Sequence, residues 1–95
     1  MTDSPTFPNQ LFPLGQVAAT VGALDYIHTE LALALLRRHA TGDWGELDDN
    51  DRERNDIAVQ EGLRIVSAYA LSDVTVLCIT EADRSATTFL LPSER

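Results

Sequence analysis

The strongest constraint on the fold of this chain is a change of hydrophobic period near Arg64. Beyond it lie three short runs, RIVSAYAL, VTVLCIT and SATTFLL, rich in β-branched and aromatic residues. Each alternates with the two-residue rhythm of a strand. The segments between them, LSD and EADR, are too short for crossover helices, so the runs are expected to pair as an antiparallel meander. In the first run Ile65, Ser67 and Tyr69 share a face opposite Val66 and Ala68. In the second, Leu77 and Ile79 oppose Val76 and Cys78. In the third, Ser85, Thr87 and Phe89 oppose Thr88 and Leu90, and Pro92 ends the run.

Three helices are expected ahead of the meander. Thr20 can cap a short one through Ala23, Leu24 and Ile27. Thr29, followed by Glu30, can cap LALALLRRH, which is apolar nearly all round and therefore reads as a buried helix. Arg37, Arg38 and His39 stand at its C-terminal end, where positive charge suits the helix dipole. After TGDWG, one of Asp48, Asp49 or Asn50 can cap a polar helix to about Gln60, with Gly62 as its stop. In that helix only Ile57, Ala58 and Val59 offer much to a core. The segment 14–19 can be extended, although Gly15 weakens it. The expected fold is α+β in the order β-α-α-α-β-β-β: a short N-terminal strand or arm, three helices, then a three-stranded antiparallel meander packed on them. Residues 1–12, with Pro5 and Pro8, read as a flexible arm pinned at most by Phe7, Leu11 and Phe12, and residues 13–95 as a single domain. Leu33, Leu35, Leu36, Ile65, Leu77, Ile79 and Leu90 are expected to supply much of the core, with Cys78 a packed, unreactive thiol on the middle strand.

Composition acts mainly by exclusion. Ninety-five residues suit one core rather than two. Fifteen acidic residues against seven basic, every one of them Arg, give a net charge of −8. That balance disfavours direct binding to nucleic acid or to anionic membranes. The single cysteine excludes an internal disulfide framework. No apolar run reaches membrane-spanning length, and MTDSPTFPNQ has neither a basic nor an apolar leader region, so the expected location is the cytoplasm. His28 has no second His or Cys at zinc spacing. Asp49, Asp51 and Glu53 fit alternate positions of a calcium loop, but Arg54 stands where the central Gly belongs and Gln60 where the final Glu belongs. No metal or cofactor is expected, and the oligomeric state is not encoded in any of these patterns.

Two constellations could carry a function. The first is TGDWG and the helix after it: residues 43–61 hold eight acidic side chains, among them Asp43, Glu46, Asp48, Asp49 and Asp51, against only Arg52 and Arg54. Such a surface suits a basic partner protein, with Trp44 as an aromatic anchor. The plainer alternative is a solvated helix face beside a Trp that plugs the edge of the core. The second constellation is His39 with Arg84 and the hydroxyls of Thr87 or Thr88, which would suit metal-independent RNA cleavage. There the alternatives are a capping His and a turn in which Glu81 or Asp83 pairs with Arg84. The expected function is a non-catalytic binding or inhibitory module acting on a basic protein surface, with a small ribonuclease or toxin-like domain as the alternative.

Three segments, FPLGQVAATVGAL, LLRRHATGDWGELDDNDRERND and ITEADRSATTFLLP, resemble a family of small bacterial proteins carried on plasmids and other mobile elements. The resemblance spans residues 12–92. It implies a mobile-element setting and a role in host defence or plasmid maintenance, and it implies no catalytic residues. Val21 departs from the family pattern, in which a Pro is expected, as does the lack of an aromatic near Leu77 or Cys78.

Overall fold

The computed structural model describes residues 5–95. Its elements are β1 (Gln16–Ala19), α1 (Val21–Leu24), α2 (Thr29–Ala40), α3 (Asp49–Glu61), β2 (Ile65–Ala70), β3 (Thr75–Thr80) and β4 (Ala86–Leu90), followed by a single 3₁₀ turn at Pro92–Glu94. The chain is α+β as expected, but the sheet has four strands in the order β1-β4-β3-β2. The meander β2-β3-β4 is antiparallel, and β1 adds to its outer edge parallel to β4, so the sheet is mixed. The expectation of a three-stranded antiparallel sheet is corrected by this fourth strand. What brings β1 there is the stretch before it: Leu14 is buried, and its carbonyl accepts the Thr87 hydroxyl at 2.6 Å.

The helices form where capping chemistry allows. Thr20 caps α1, accepting the Ala23 N–H at 3.1 Å. His28, not Thr29, caps α2: its Nδ1 accepts the Leu31 N–H. Asp48 caps α3, and Gly62 ends it in the left-handed conformation at φ 69°.

One face of the sheet, carrying Ile65, Tyr69, Val76, Cys78 and Phe89, packs against α2 and buries Leu35, Leu36 and Ala40. The opposite face gathers Ala68, Leu77, Ile79 and Leu90 in a smaller cluster. Six of the seven residues expected in the core are buried; Leu33 is 42% exposed. The apolar circumference of α2 thus exceeds what the sheet covers, and Leu33 and Ala34 face outward. Ile57, expected inward, is 49% exposed, because Asn55 and Ala58 take the inner face of α3. Residues 1–4 of the expected arm lie outside the described residues, whereas its remainder is tied to the domain. Phe12 is buried, and the Leu11 N–H bonds the Ala40 carbonyl at 2.8 Å. Among the described residues no helix is long and apolar enough to cross a membrane.

Candidate functional site

The TGDWG loop is built into the sheet. Gly45 pairs with Ala68 of β2, whose N–H donates to the Trp44 carbonyl at 3.1 Å and whose carbonyl accepts the Glu46 N–H at 2.7 Å. Only glycine permits this approach: Gly45 lies at φ 78°, and a Cβ there would overlap the Ala68 carbonyl oxygen. The Tyr69 hydroxyl donates to the Asp43 carbonyl at 2.7 Å, and the Arg38 guanidinium lies 4.6 Å from the Tyr69 ring centre.

Trp44 is 5% exposed, so the expected aromatic anchor is part of the core. It stacks on Phe12, meets His39 edge-on, and donates its indole N–H to Asp56 at 3.0 Å. Asp43 is also removed from the free acidic set. Arg38 grips both of its oxygens, at 2.7 and 3.2 Å, and this contact holds the carboxyl below its ordinary range. Of the acidic residues read from the sequence, Glu46, Asp48 and Asp49 are exposed and Asp51 half-buried, with Glu53, Asp56 and Glu61 continuing the exposed series along α3. Asp48 spends one oxygen on the Asp51 N–H at 2.8 Å.

The sequence reading missed the apolar part of this surface. Ile57 projects from α3 with Glu53, Arg54, Gln60 and Glu61 one turn to either side of it, and Leu63, just past the helix stop, is 50% exposed. The signal was available in principle. If Asn55 and Ala58 face the sheet, Ile57 lies about 200° around the helix from Asn55.

His39 is fully buried, and both of its ring nitrogens are occupied: Nδ1 lies 2.6 Å from Ser67 Oγ and Nε2 2.8 Å from Thr80 Oγ1. Thr80 Oγ1 in turn lies 2.7 Å from Thr87 Oγ1, and Thr87 donates to the Leu14 carbonyl. The carbonyl at the end can only accept, so the direction of the whole chain follows. Thr87 gives its hydrogen to Leu14, Thr80 therefore gives its own to Thr87, and His39 gives its Nε2 hydrogen to Thr80. Nδ1 is left as an acceptor for the Ser67 hydroxyl. The neutral ring of His39 is thus the Nε2–H tautomer. Burial, with the nearby Arg84 charge a smaller contribution, lowers its pKa to about 3. It is neither the capping residue nor the exposed base that its sequence position suggested.

Arg84 is equally committed. At φ 61°, it sends Nη1 to the carbonyls of Leu63 (2.7 Å), Glu81 (3.1 Å) and Ala82 (3.3 Å), and Nη2 to that of Ala58 (2.9 Å). It therefore ties the end of α3 to the β3–β4 turn, while Glu81 pairs with Arg64 rather than with Arg84. Thr87 is buried within the hydroxyl chain, and Thr88 points to the other face of β4, away from His39. The four residues do not converge on an open cleft where a phosphate could meet an acid–base group. Burial likewise pushes the Cys78 thiol far above its ordinary pKa, which leaves it a packed hydrophobe.

The strongest exposed feature is therefore the acidic outer face of α3 with Ile57 in its midst. No family model, curated protein or solved structure matches this chain.

Proposed function

We propose that this protein is a non-catalytic binding module that offers the outer face of α3 to a basic surface on a partner protein. The observation that carries this reading is Ile57, 49% exposed on the acidic helix. A single exposed aliphatic residue is ordinary on a protein surface. What supports the reading is its place among Glu53 and Glu61 on the acidic face, with Leu63 exposed just past the helix end. Glu53, Asp56 and Glu61 would steer a cationic partner and set the association rate, and Ile57 with Leu63 would supply the dehydrated contact that slows release. The resemblance to plasmid-borne proteins supplies a setting for this reading, in which the partner belongs to a conflict between a mobile element and its host.

The test uses three forms of the full chain: wild type, Ile57→Ala, and a Glu53→Lys/Glu61→Lys double variant. A partner is isolated by crosslinking in the native host and its affinity is measured for each form over a salt series. Both variants should weaken binding at least tenfold with unchanged circular dichroism, and the wild-type affinity should fall as salt rises. Full affinity in the charge-reversed variant would leave α3 as a solubility device and end the proposal.

A further inference from the structure

The edge of the sheet opposite α3 is formed by β1. Gln16 and Thr20 direct their N–H groups to Ser85 and Phe89 next door, so the strand alternation turns Val17 and Ala19 outward. Among the described residues no backbone group pairs with them. Edge strands are ordinarily blunted by charge, proline or a bulge, and QVAA has none of these. Beside the strand runs an apolar groove of about 440 Å³, floored by Val17, Ala19, Ala32 and Leu36 and rimmed by Leu24 and Leu33, which are 58% and 42% exposed. Among the described residues no Asp, Glu or Arg lines it.

We propose that this edge and groove are the surface through which two copies of the chain associate, β1 pairing antiparallel with β1 of the second copy about a twofold axis. Charge selects a second copy as the occupant. The chain carries −8, so most faces would repel their own kind, yet no Asp, Glu or Arg among the described residues lines this one, which lies across the sheet from the acidic helix. Length points the same way. Two outward residues offer too few backbone bonds to hold a passing peptide, and a copy adds its own Leu24 and Leu33 to the contact. The register follows from the alternation: Val17 exchanges hydrogen bonds with Ala19 of the second copy, and Ala18 meets its twin on the axis. Alanine suits that position, where side chains approach most closely. The product is a continuous eight-stranded sheet with an acidic α3 at each far edge, which makes the assembly bivalent for the partner proposed above.

Sedimentation of the full chain from roughly 1 µM to 0.5 mM should show a transition to twice the 10.4 kDa chain mass. Ala18→Lys and Leu33→Glu, both at exposed sites, should each raise the dissociation constant at least tenfold while leaving the dilute melting temperature unchanged. Ala18→Glu should do the same alone, yet an equimolar mixture of Ala18→Lys and Ala18→Glu should dimerise, because the axis sets Lys against Glu. A wild type that stays monomeric throughout overturns the proposal. So does a dimer that survives both single variants, or a charge-swapped mixture that remains monomeric.

Discussion

At the β2 edge, one Asn55 side chain takes both outward groups of Val66: its Nδ2 donates to the carbonyl at 2.8 Å and its Oδ1 accepts the N–H at 3.1 Å. The next outward residue, Ala68, is satisfied by Trp44 and Glu46. At the β1 edge the corresponding groups of Val17 and Ala19 meet no such device among the described residues. The contrast explains what the TGDWG loop is for. Its two glycines, its Trp and the Arg38–Asp43 pair lay a stretch of backbone against β2 and pin it there, so that α3 can pack beyond it. An edge covered with that much specificity needs no further strand. The β1 edge, left unpaired among the described residues and flanked by the exposed Leu24 and Leu33, remains able to accept one.

The largest effect is expected where the covered edge is forced open. Gly45→Val would place a branched side chain at positive φ against the Ala68 carbonyl, unseating the loop and the Trp44 indole with it. The stability loss should be about 3–5 kcal/mol in urea titration, with a red-shifted Trp44 emission in whatever fold remains. A loss under about 1 kcal/mol would mean that the loop does not depend on this contact.

Acid should act on both edges together, because the hydroxyl chain runs from Ser67 on β2 through His39, Thr80 and Thr87 to the segment preceding β1. The folded pKa of about 3 lies below the ordinary 6.5, so the unfolded chain binds the proton first. The contribution of neutral His39 is therefore complete above about pH 6.5 and is lost as pH falls toward 3. At about 1.4 kcal/mol per unit, the loss amounts to about 3 kcal/mol by pH 4.5. His39→Gln, less stable at pH 7.5, should lose that much less than wild type between the two pH values. Equal losses would assign acid sensitivity to the carboxylates.

A change at the covered edge that removes hydrogen bonds without a clash comes next. Asn55→Ala leaves the Val66 N–H and carbonyl without their partners, and should cost about 2 kcal/mol. Asn55→Asp keeps the acceptor for the N–H but sets a carboxylate against the carbonyl oxygen, so it should rescue little at pH 7 and more as the pH falls. If both variants match wild type, water replaces Asn55 without penalty and this edge is less closed than its geometry indicates.

The meander was legible because alternation in residues 64–91 is a local property, readable without knowing the partner strand. The helix ends were legible for the same reason: Thr20, Asp48 and Gly62 act on their immediate neighbours. What was not legible depends on distant pairs. A four-residue QVAA carries too little pattern to declare that it lies beside β4, and nothing in TGDWG says that Gly45 will meet Ala68. His39 is the instructive case. Its partners are 28 and 41 residues away, yet alternation alone puts Ser67, Thr80 and Thr87 on the inward faces of their strands. Three buried hydroxyls require partners. A polar residue at the end of the apolar helix facing them was the candidate to supply one, and that inference outranks the pairing of His39 with Arg84. Ile57 was misplaced because its helix was read by composition rather than by which residues share a face.

The smallest perturbation that separates the two edges is amide hydrogen exchange on the unmodified protein. In dilute solution, protection along β1 should alternate. Ala18 and Thr20 donate into the sheet and should exchange slowly, whereas Val17 and Ala19 should exchange near the rate of an unstructured amide. On β2 the alternation should be absent: Val66 and Ala68 point outward just as Val17 and Ala19 do, but they donate to Asn55 and Trp44 and should be protected like their inward neighbours. No side chain changes, so no difference in folding can confuse the outcome. Raising the protein concentration should then slow Val17 and Ala19 selectively as β1 finds its twin, with Val66 and Ala68 unaffected. Protection of Val17 and Ala19 already complete at the lowest concentration would show the β1 edge to be covered within one chain, and the contrast between the two edges would dissolve.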